Sequence, residues 1–246
     1  MSRRHLLQAV ETSLKRLQTD WVDVLYLHRD GETTPVEETV AALATLIDRG
    51  RVHYFGLSNF RAWRVARFVE TCRAMRVPQP IVCQPPYNAM TRGVEAELLP
   101  CCAHYGIAAV AYSPLARGVL SGKYRAGSPP PEGTRAARSD RRLLQTELRD
   151  ESLLLAQQMA EYAQRRNLTP TQLALAWVWN NALVHGLVGG PRTMEQWQQY
   201  LDALHVSFTD EDESFVSGLV PAGHASTPGY TDPIYPVTGR VPRTAA

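Results

Sequence analysis

The stretch WVDVLYLHRDGETTPVEETVAALATLIDRGRVHYFGLSN, residues 21–59, contains one complete strand–helix–strand unit. Residues 21–28 form a short run of apolar, β-branched and aromatic side chains, which is typical of a buried strand. A helix begins near Pro35, with two glutamates in its first turn, and it ends at Gly50. The second strand is predicted at 51–59. Repeated units of this kind predict a parallel sheet covered by helices.

The same alternation extends to both sides of this unit. Apolar side chains recur at helical spacing over residues 3–17, and another helix is predicted over 93–105. The five predicted strands lie at 21–28, 51–59, 81–88, 107–115 and 184–190. An open doubly wound sheet fits this alternation, but no GxGxxG follows any strand. The predicted fold is therefore an α/β protein of the (β/α)8 TIM-barrel type, incomplete, with about five of the eight βα units.

No long-range repeat and no linker interrupts this pattern, so residues 1–246 are predicted to form a single domain, which lacks the first three βα units of a barrel. Residues 121–150 are predicted to be a long polar loop because they include the breaker-rich stretch SPPPEGTR. Further helices are predicted over 151–165, 170–181 and 193–203. Residues 220–246 are rich in Pro, Gly and Thr and are predicted to be an irregular tail.

The composition argues against several classes of partner. The net charge is +2, which gives no reason to expect nucleic acid or an anionic membrane. The first twenty residues lack the apolar segment of a secretion signal, and no apolar run is long enough to suggest a membrane span. The four cysteines include no CxxC, which favours reduced thiols in a cytoplasmic protein. No sequence feature indicates an oligomeric state.

Polar residues stand where each predicted strand ends. In a barrel, functional groups gather at the carboxyl ends of the strands. Read in order, these positions hold His28, Ser58-Asn59, Gln84, Tyr112-Ser113 and Gly189-Gly190. Strand ends also border solvent, so their polarity has an ordinary explanation as well.

Five segments, in order and at matching spacing, carry a resemblance to one family. They are VDVLYLHRDGETTPVEETVAAL, HYFGLSNF, QPPYN, AYSPLARGVLSGKY and VGGPRTMEQ. The chain resembles the aldo-keto reductases over nearly its whole length, and most closely the branch with the potassium-channel β subunits and the bacterial aldehyde and sugar reductases. The resemblance implies NADP(H) as cofactor and a small-molecule carbonyl compound as substrate.

The resemblance also implies roles for the residues at the strand ends. His28 matches the catalytic histidine, whose neutral imidazole can donate a hydrogen bond to a carbonyl oxygen. Ser58, Asn59 and Gln84 match residues that hold the nicotinamide carboxamide, because an amide needs both a donor and an acceptor. Tyr112 matches the aromatic residue that stacks on the nicotinamide ring. The structural alternatives are a histidine at the barrel rim, loop capping and a core tyrosine.

A second set of matched residues is implied to bind the phosphates and the adenosine. The loop that wraps the pyrophosphate comprises Ser113, Pro114, Leu115, Ala116 and Arg117, and the clamp over it comprises Lys123 and Arg135. The site for the adenosine and its 2′-phosphate, at a helix start, comprises Gly190, Arg192, Gln196 and Gln199. Tyr200 departs from the family, which often has Asn there.

The family uses four catalytic groups, and three of them have no counterpart in this chain. The general acid is a tyrosine whose pKa is set by an aspartate and a lysine. The only lysines are Lys15, on the predicted first helix, and Lys123, in the cofactor loop. Without the acid we expect the rate to fall by about 10²–10⁴-fold. We favour a start upstream of Met1 over a degenerate relic or complementation between chains.

Three functions are compared on this basis. The favoured one is an NADPH-dependent oxidoreductase that reduces aldehydes or ketones to alcohols, impaired or inactive as this chain. The alternative is a non-catalytic NADP(H)-binding module or degenerate relic. A metal-dependent hydrolase is disfavoured because no HxH or carboxylate cluster stands at the strand ends, and no metal site is predicted.

Overall fold

The computed structural model describes residues 2–31 and 33–237, and the chain divides into two compact units. The first, which we call the sheet unit, comprises Met1–Pro86, Val94–Tyr112 and Asn181–Val188. The second, the helical unit, comprises Tyr87–Gly93, Ser113–Asn180 and Gly189–Ala246.

The sheet unit contains five parallel strands that neighbour each other in chain order. They are β1 Val22–Leu27, β2 Val52–Ser58, β3 Val82–Gln84, β4 Ala108–Tyr112 and β5 Gly186–Val188. A doubly wound sheet reverses its strand order at a switch point, whereas the described strands run without reversal. This order confirms the predicted α/β fold with a parallel sheet of incomplete (β/α)8 type.

Four helices of the sheet unit cover one face of this sheet. They are α1 Arg3–Leu17, α2 Val36–Asp48, α3 Ala62–Ala74 and α4 Leu98–Tyr105. Phe55 and Leu57 of β2 are fully buried in the same cluster as Leu43 of α2 and Phe68 of α3. Side chains alternate along a strand, so Tyr54 lies on the opposite face, where it is 52% exposed.

The strand and helix bounds differ from the predicted ones where prolines intervene. The predicted strand 81–88 ends at Gln84, because Pro85 and Pro86 cannot donate a ladder hydrogen bond. The predicted helix 93–105 begins only at Leu98 and is preceded by the 3-10 helix Gly93–Glu95. Pro100 explains this, because proline is tolerated in the first turn of a helix and not in its interior. The last predicted strand, 184–190, is limited to β5.

The helical unit contains five α-helices in its described part. They are α5 Arg141–Thr146, α6 Asp150–Arg165, α7 Pro170–Trp179, α8 Met194–Ala203 and α9 Asp210–Leu219. Both α7 and α9 begin with a capping box, formed by Thr169 with Gln172 and by Thr209 with Asp212. Helix α9 was not predicted.

Two segments predicted to be irregular lie in the helical unit. The predicted loop 121–150 contains α5, whose first turn is capped by Asp140 through a 2.9 Å hydrogen bond from the backbone N–H of Leu143. The described part of the predicted tail, residues 220–237, has no helix. It pairs with the preceding chain through one backbone bridge, between Ala225 and Thr91. The remaining predicted tail, 238–246, lies outside the described residues.

Gly56 of β2 lies between side chains of the two neighbouring strands. It lies in register with Tyr26 of β1 and Val82 of β3. A Cβ on Gly56 would come within 2.6 Å of Val82 Cγ1 and 2.9 Å of Tyr26 Cε1. We therefore expect Gly56→Ala to lower the free energy of unfolding by about 1–3 kcal/mol, as overpacking does elsewhere. Urea unfolding measures this.

A matched control is Gly186→Ala in β5. Its added Cβ would meet Val110 Cγ2 at 3.5 Å, an ordinary van der Waals contact. The control variant should unfold at nearly the wild-type urea concentration. Equal midpoints for the two variants would show that the close approach at Gly56 does not limit side-chain size.

Candidate active site

Side chains of four matched positions follow or end neighbouring strands of the sheet unit. His28 comes directly after β1, Ser58 ends β2, Gln84 ends β3 and Tyr112 ends β4. Because the strands are parallel, their carboxyl ends meet at one edge of the sheet. The structure therefore brings the predicted active-site and nicotinamide residues to a common edge.

Asn59 connects three of these strand ends. Its side-chain Nδ2 donates to the backbone oxygen of His28 at 2.9 Å and to Ser58 Oγ at 3.0 Å. Its Oδ1 accepts a 2.8 Å hydrogen bond from the Tyr112 hydroxyl. Both N–H bonds of the amide are thus used within the site, which leaves Oδ1 as the group of Asn59 that can accept one further hydrogen bond. Asn59 has a φ of 59°, a left-handed conformation that Asn adopts more readily than most residues.

Gln84, the last residue of β3, has Ser58 and Tyr26 as neighbours. The Ser58 hydroxyl donates to the backbone oxygen of Gln84 at 2.9 Å, and Ser58 is buried. Burial raises the pKa of the Tyr26 phenol, and the neighbouring side chain of Gln84 acts to lower that pKa. Tyr26 was not among the predicted site residues, although it precedes His28 by two positions and so lies on the same face of β1.

The segment that follows His28 is anchored by an ion pair. Arg64, in the first turn of α3, binds both carboxylate oxygens of Asp30, with 2.7 Å between Nη2 and Oδ1. Arg64 Nη2 also donates to the backbone oxygen of Gly31 at 3.3 Å. A two-pronged guanidinium–carboxylate contact of this kind restricts orientation as well as distance. Arg64 and Asp30 therefore limit the movement of the chain next to His28.

In the helical unit, the predicted pyrophosphate loop has an unusual backbone. Ser113, Ala116 and Arg117 have left-handed φ angles of 55°, 47° and 54°, and Gly118 follows at 99°. Hydrogen bonds inside the loop use the N–H groups of Ala116 and Gly118. The buried side chain of Asn88 donates to the backbone oxygen of Ser113 at 3.0 Å and so fixes the start of the loop. Left-handed conformations at non-glycine residues cost free energy and are concentrated at functional sites.

Three cationic side chains of the predicted cofactor site, those of Lys123, Arg135 and Arg192, lie together beside this loop. A Cβ on Gly118 would come within 2.7 Å of Lys123 Nζ, so the ammonium group lies directly over the loop. Partial burial, followed by the charges of Arg135 and Arg192, lowers the pKa of Lys123. Among residues 2–31 and 33–237, none of the three cations forms an ion pair with a carboxylate. Like charges that lie this close favour an anion between them.

The start of α8 holds the remaining matched residues. Gln196 accepts a 2.8 Å hydrogen bond from the backbone N–H of Arg192, and Arg192 itself is exposed. Gln199 is half-buried on the same helix. Tyr200 packs on the chain before α8, because a Cβ on Gly189 would meet its ring at 2.9 Å. The ring of Tyr200 thus lies against Gly189, a contact that the sequence did not predict.

The described residues contain no group of three or more His, Cys, Asp and Glu side chains that could hold a metal ion. In the same part of the chain, no helix has the length and apolar character needed to cross a membrane.

The sequential parallel sheet and the polar residues at its carboxyl edge define a protein of the barrel-type α/β class. The family model "Aldo/keto reductase family" matches residues 1–219. A probable voltage-gated potassium channel subunit beta of Oryza sativa subsp. japonica is 37% identical over 207 residues, covering 84% of this chain and 63% of that protein. This chain belongs to the aldo/keto reductase family.

Two further relatives are named as reductases. An L-glyceraldehyde 3-phosphate reductase of Escherichia coli O157:H7 is 34% identical over 216 residues, which are 86% of this chain and 62% of the relative. Aflatoxin B1 aldehyde reductase member 2 of Mus musculus is 38% identical over 207 residues, 79% of this chain and 56% of the relative. The chain spans less than two thirds of the length of these relatives.

Proposed function

We propose that this chain binds NADP(H) and takes part in the reduction of an aldehyde or ketone to an alcohol. The observation that carries the proposal is the group of three cations, Lys123, Arg135 and Arg192, which lie together without a carboxylate partner among the described residues. Such a donor set fits a cofactor that carries several phosphate groups.

The matched residues divide the binding of this cofactor between them. Arg192 would pair with the 2′-phosphate, while Lys123 and Arg135 would pair with the diphosphate beside the loop 113–117. The adenosine would lie against Gly190, Gln196 and Gln199. The carboxamide would meet Ser58, Asn59 and Gln84, and Tyr112 would support the nicotinamide ring.

When bound, NADPH supplies the hydride for the reduction. His28 is exposed at the end of β1, and Asn59 holds its backbone. We propose that the imidazole donates a hydrogen bond to the substrate carbonyl oxygen and so favours addition at the carbonyl carbon. The Arg64–Asp30 ion pair limits the positions that this segment can take.

Hydride addition to a carbonyl leaves an alkoxide, which needs a proton donor. This step is the one that the residues of this chain supply least well. Its two lysines are Lys15 on α1 and Lys123 beside Gly118, so neither follows a strand. A lysine that adjusts the pKa of a tyrosine acid is therefore missing from the strand ends. We expect turnover to be slower by about 10²–10⁴-fold than with a positioned general acid.

A non-catalytic NADP(H)-binding module is the second candidate. It is favoured by the same lack of a lysine at the strand ends, and one relative is named as a potassium channel subunit. For the reductase, the relatives' names support aldehydes as substrates. Four free cysteines support a reducing compartment, and we propose the cytoplasm.

The two candidates are separated by measuring binding and turnover on the same protein. Binding is followed by the fluorescence of NADPH, with NADH in parallel, and turnover by NADPH oxidation with short-chain, aromatic and phosphorylated aldehydes. Tighter binding of NADPH than NADH together with slow turnover is the expected result. Binding without turnover on any aldehyde would favour the non-catalytic module. No saturable binding of NADPH would overturn both.

A further inference from the structure

Lys123 is one of only two lysines in a chain that has 26 lysine and arginine residues together. It lies in the helical unit, whereas Lys15 lies on α1 of the sheet unit. A guanidinium group stays charged in proteins, but an ammonium group can lose its proton and become a nucleophile. The proposed function uses Lys123 only as a positive charge, so the reactivity of its amine is a separate question.

The amine of Lys123 lies over the turn formed by residues 116–118. A Cβ on Gly118 would come within 2.7 Å of Nζ and 2.9 Å of Cε, so the end of the lysine side chain occupies the space that this glycine leaves. The Ser121 hydroxyl donates to the backbone oxygen of Gly118 at 2.8 Å and closes the turn. Nζ also lies 5.4 Å from the centre of the Tyr124 ring. The amine therefore has a defined position beside the predicted pyrophosphate loop.

Tyr124 connects this amine with the chain at Arg135. Tyr124 is buried, and its hydroxyl accepts a 3.4 Å hydrogen bond from the backbone N–H of Ala136, which directly follows Arg135. The hydrogen bond holds the segment of Arg135 next to the segment that carries Lys123. Within the part of the chain that the structure describes, neither cation forms an ion pair with a carboxylate.

The surroundings of Lys123 favour its neutral, nucleophilic form. Burial of part of the side chain, followed by the charges of Arg135 and Arg192, lowers the pKa of Lys123. Desolvation and a neighbouring cation are the two conditions that activate the lysines with which enzymes form imines. Guanidinium groups also bind phosphate through paired hydrogen bonds, so the two arginines can hold a phosphorylated compound beside the amine.

We propose that Lys123 is a modification site, at which the amine forms an imine with aldehydes that carry a phosphate group. The nitrogen lone pair adds to the carbonyl carbon, and the π electrons of the C=O bond move to the oxygen. The two protons of the neutral amine then leave with this oxygen as water, so the step needs no oxidant or reductant.

The imine would occupy the space over the turn 116–118, where the cofactor diphosphate is proposed to bind. Modification of Lys123 and binding of NADP(H) should therefore exclude each other, and a phosphorylated aldehyde at high concentration would inhibit its own reduction. This exclusion rests on the proposed function, whereas imine formation at Lys123 does not.

Pyridoxal 5′-phosphate, a phosphorylated aldehyde, tests the site on the wild-type protein. Borohydride reduces each imine to a stable secondary amine, and peptide mass spectrometry then measures the label at each lysine. Lys15 is the matched control because it lies exposed on α1. We expect Lys123 to be labelled about tenfold faster than Lys15, the ratio for one charge-assisted contact to the phosphate. Pyridoxal, which lacks the phosphate, should label the two lysines at more similar rates.

A variant and the cofactor supply two further readouts. Arg135→Gln should slow the labelling of Lys123 by pyridoxal 5′-phosphate more than the labelling by pyridoxal, and NADP+ should protect Lys123 but not Lys15. Equal labelling of both lysines by pyridoxal 5′-phosphate would overturn the modification site, and an equal preference for Lys123 with pyridoxal would overturn the role of the phosphate.

The same experiment separates this inference from the proposed function. Preferential labelling of Lys123 in a protein that does not bind NADP+ would leave the modification site standing while the proposed function fails. Binding of NADP+ without protection of Lys123 would overturn the mutual exclusion.

Discussion

Replacement of Asp212 by alanine is expected to lower the free energy of unfolding by about 3–5 kcal/mol, the range for breaking a buried ion pair. Asp212 is fully buried in the first turn of α9. It accepts hydrogen bonds from the hydroxyl of Tyr162, on α6, at 2.9 Å and from Nε of Arg166, which directly follows α6, at 2.8 Å. It also accepts from the backbone N–H of Thr209 at 2.8 Å. Alanine leaves these donors unpaired and removes the contact between α6 and α9.

Thermal and urea unfolding measure this loss, and Asp210→Ala is the matched control. Asp210 lies exposed in the first turn of the same helix, so it shares the helix-dipole interaction of Asp212 without the buried contacts. The control variant should lose less than about 1 kcal/mol. A similar loss in both variants would mean that the stability comes from charge at the helix start and not from the buried network.

The contribution of Asp212 should also depend on pH. Burial acts to raise the pKa of Asp212, but hydrogen bonds from Arg166, Thr209 and Tyr162 outweigh it and hold the pKa at about 2. The pKa in the unfolded chain is about 3.9, so the folded state favours the charged form and gains stability above that pH. The difference between wild type and Asp212→Ala should therefore shrink as the pH falls from about 5 towards 2. A constant difference across this range would contradict the depressed pKa.

Replacement of Arg192 by alanine is expected to weaken NADPH binding by about 10- to 100-fold, as the loss of charge-assisted hydrogen bonds to a phosphate would. Arg192 precedes α8, its guanidinium is exposed, and its charge acts on Lys123. NADH lacks the 2′-phosphate, so its affinity should stay at the wild-type value. Fluorescence titrations of both cofactors with the variant give the two ratios.

Arg125→Ala is the control for this experiment. Arg125 is an exposed cation two residues after Lys123, so its removal changes the net charge equally. It should alter NADPH affinity only slightly, and this small effect should vanish at high salt. If Arg192→Ala weakened NADPH and NADH equally, Arg192 would contribute general charge and not recognition of the 2′-phosphate.

Local sequence patterns were sufficient to predict the order of the strands along the chain and in the sheet. Strands buried in a parallel sheet are continuous apolar runs, and all five predicted strands occur in the predicted order. Helix starts could also be predicted from the sequence, as at Thr169-Pro170, where a capping box and a proline coincide. Helix α5 was missed because six residues inside a loop rich in proline and glycine give almost no periodicity.

The sequence predicted which polar residues stand at the strand ends, but it did not predict the contacts that they make. The motif around Asn59 placed it among the site residues, but only the structure shows both its N–H groups bonded inside the site. Tyr26 carried no local signal, because a tyrosine on a strand resembles an ordinary core residue, and Tyr200 was noted only as a departure from the family. Their neighbours, Gln84 beside Tyr26 and Gly189 beside Tyr200, lie in other parts of the chain.

The sequence by itself determined the alternation of strands and helices, the family and the polar residues at the strand ends, because each rests on spacing within a few residues. Only the tertiary structure decided which charges meet. Asp212 pairs with Arg166, 46 positions away, and Asp232 pairs with Arg142, 90 positions away. The chain has 26 basic residues, and electrostatic pairing depends on distance in space, so spacing along the chain does not select these partners.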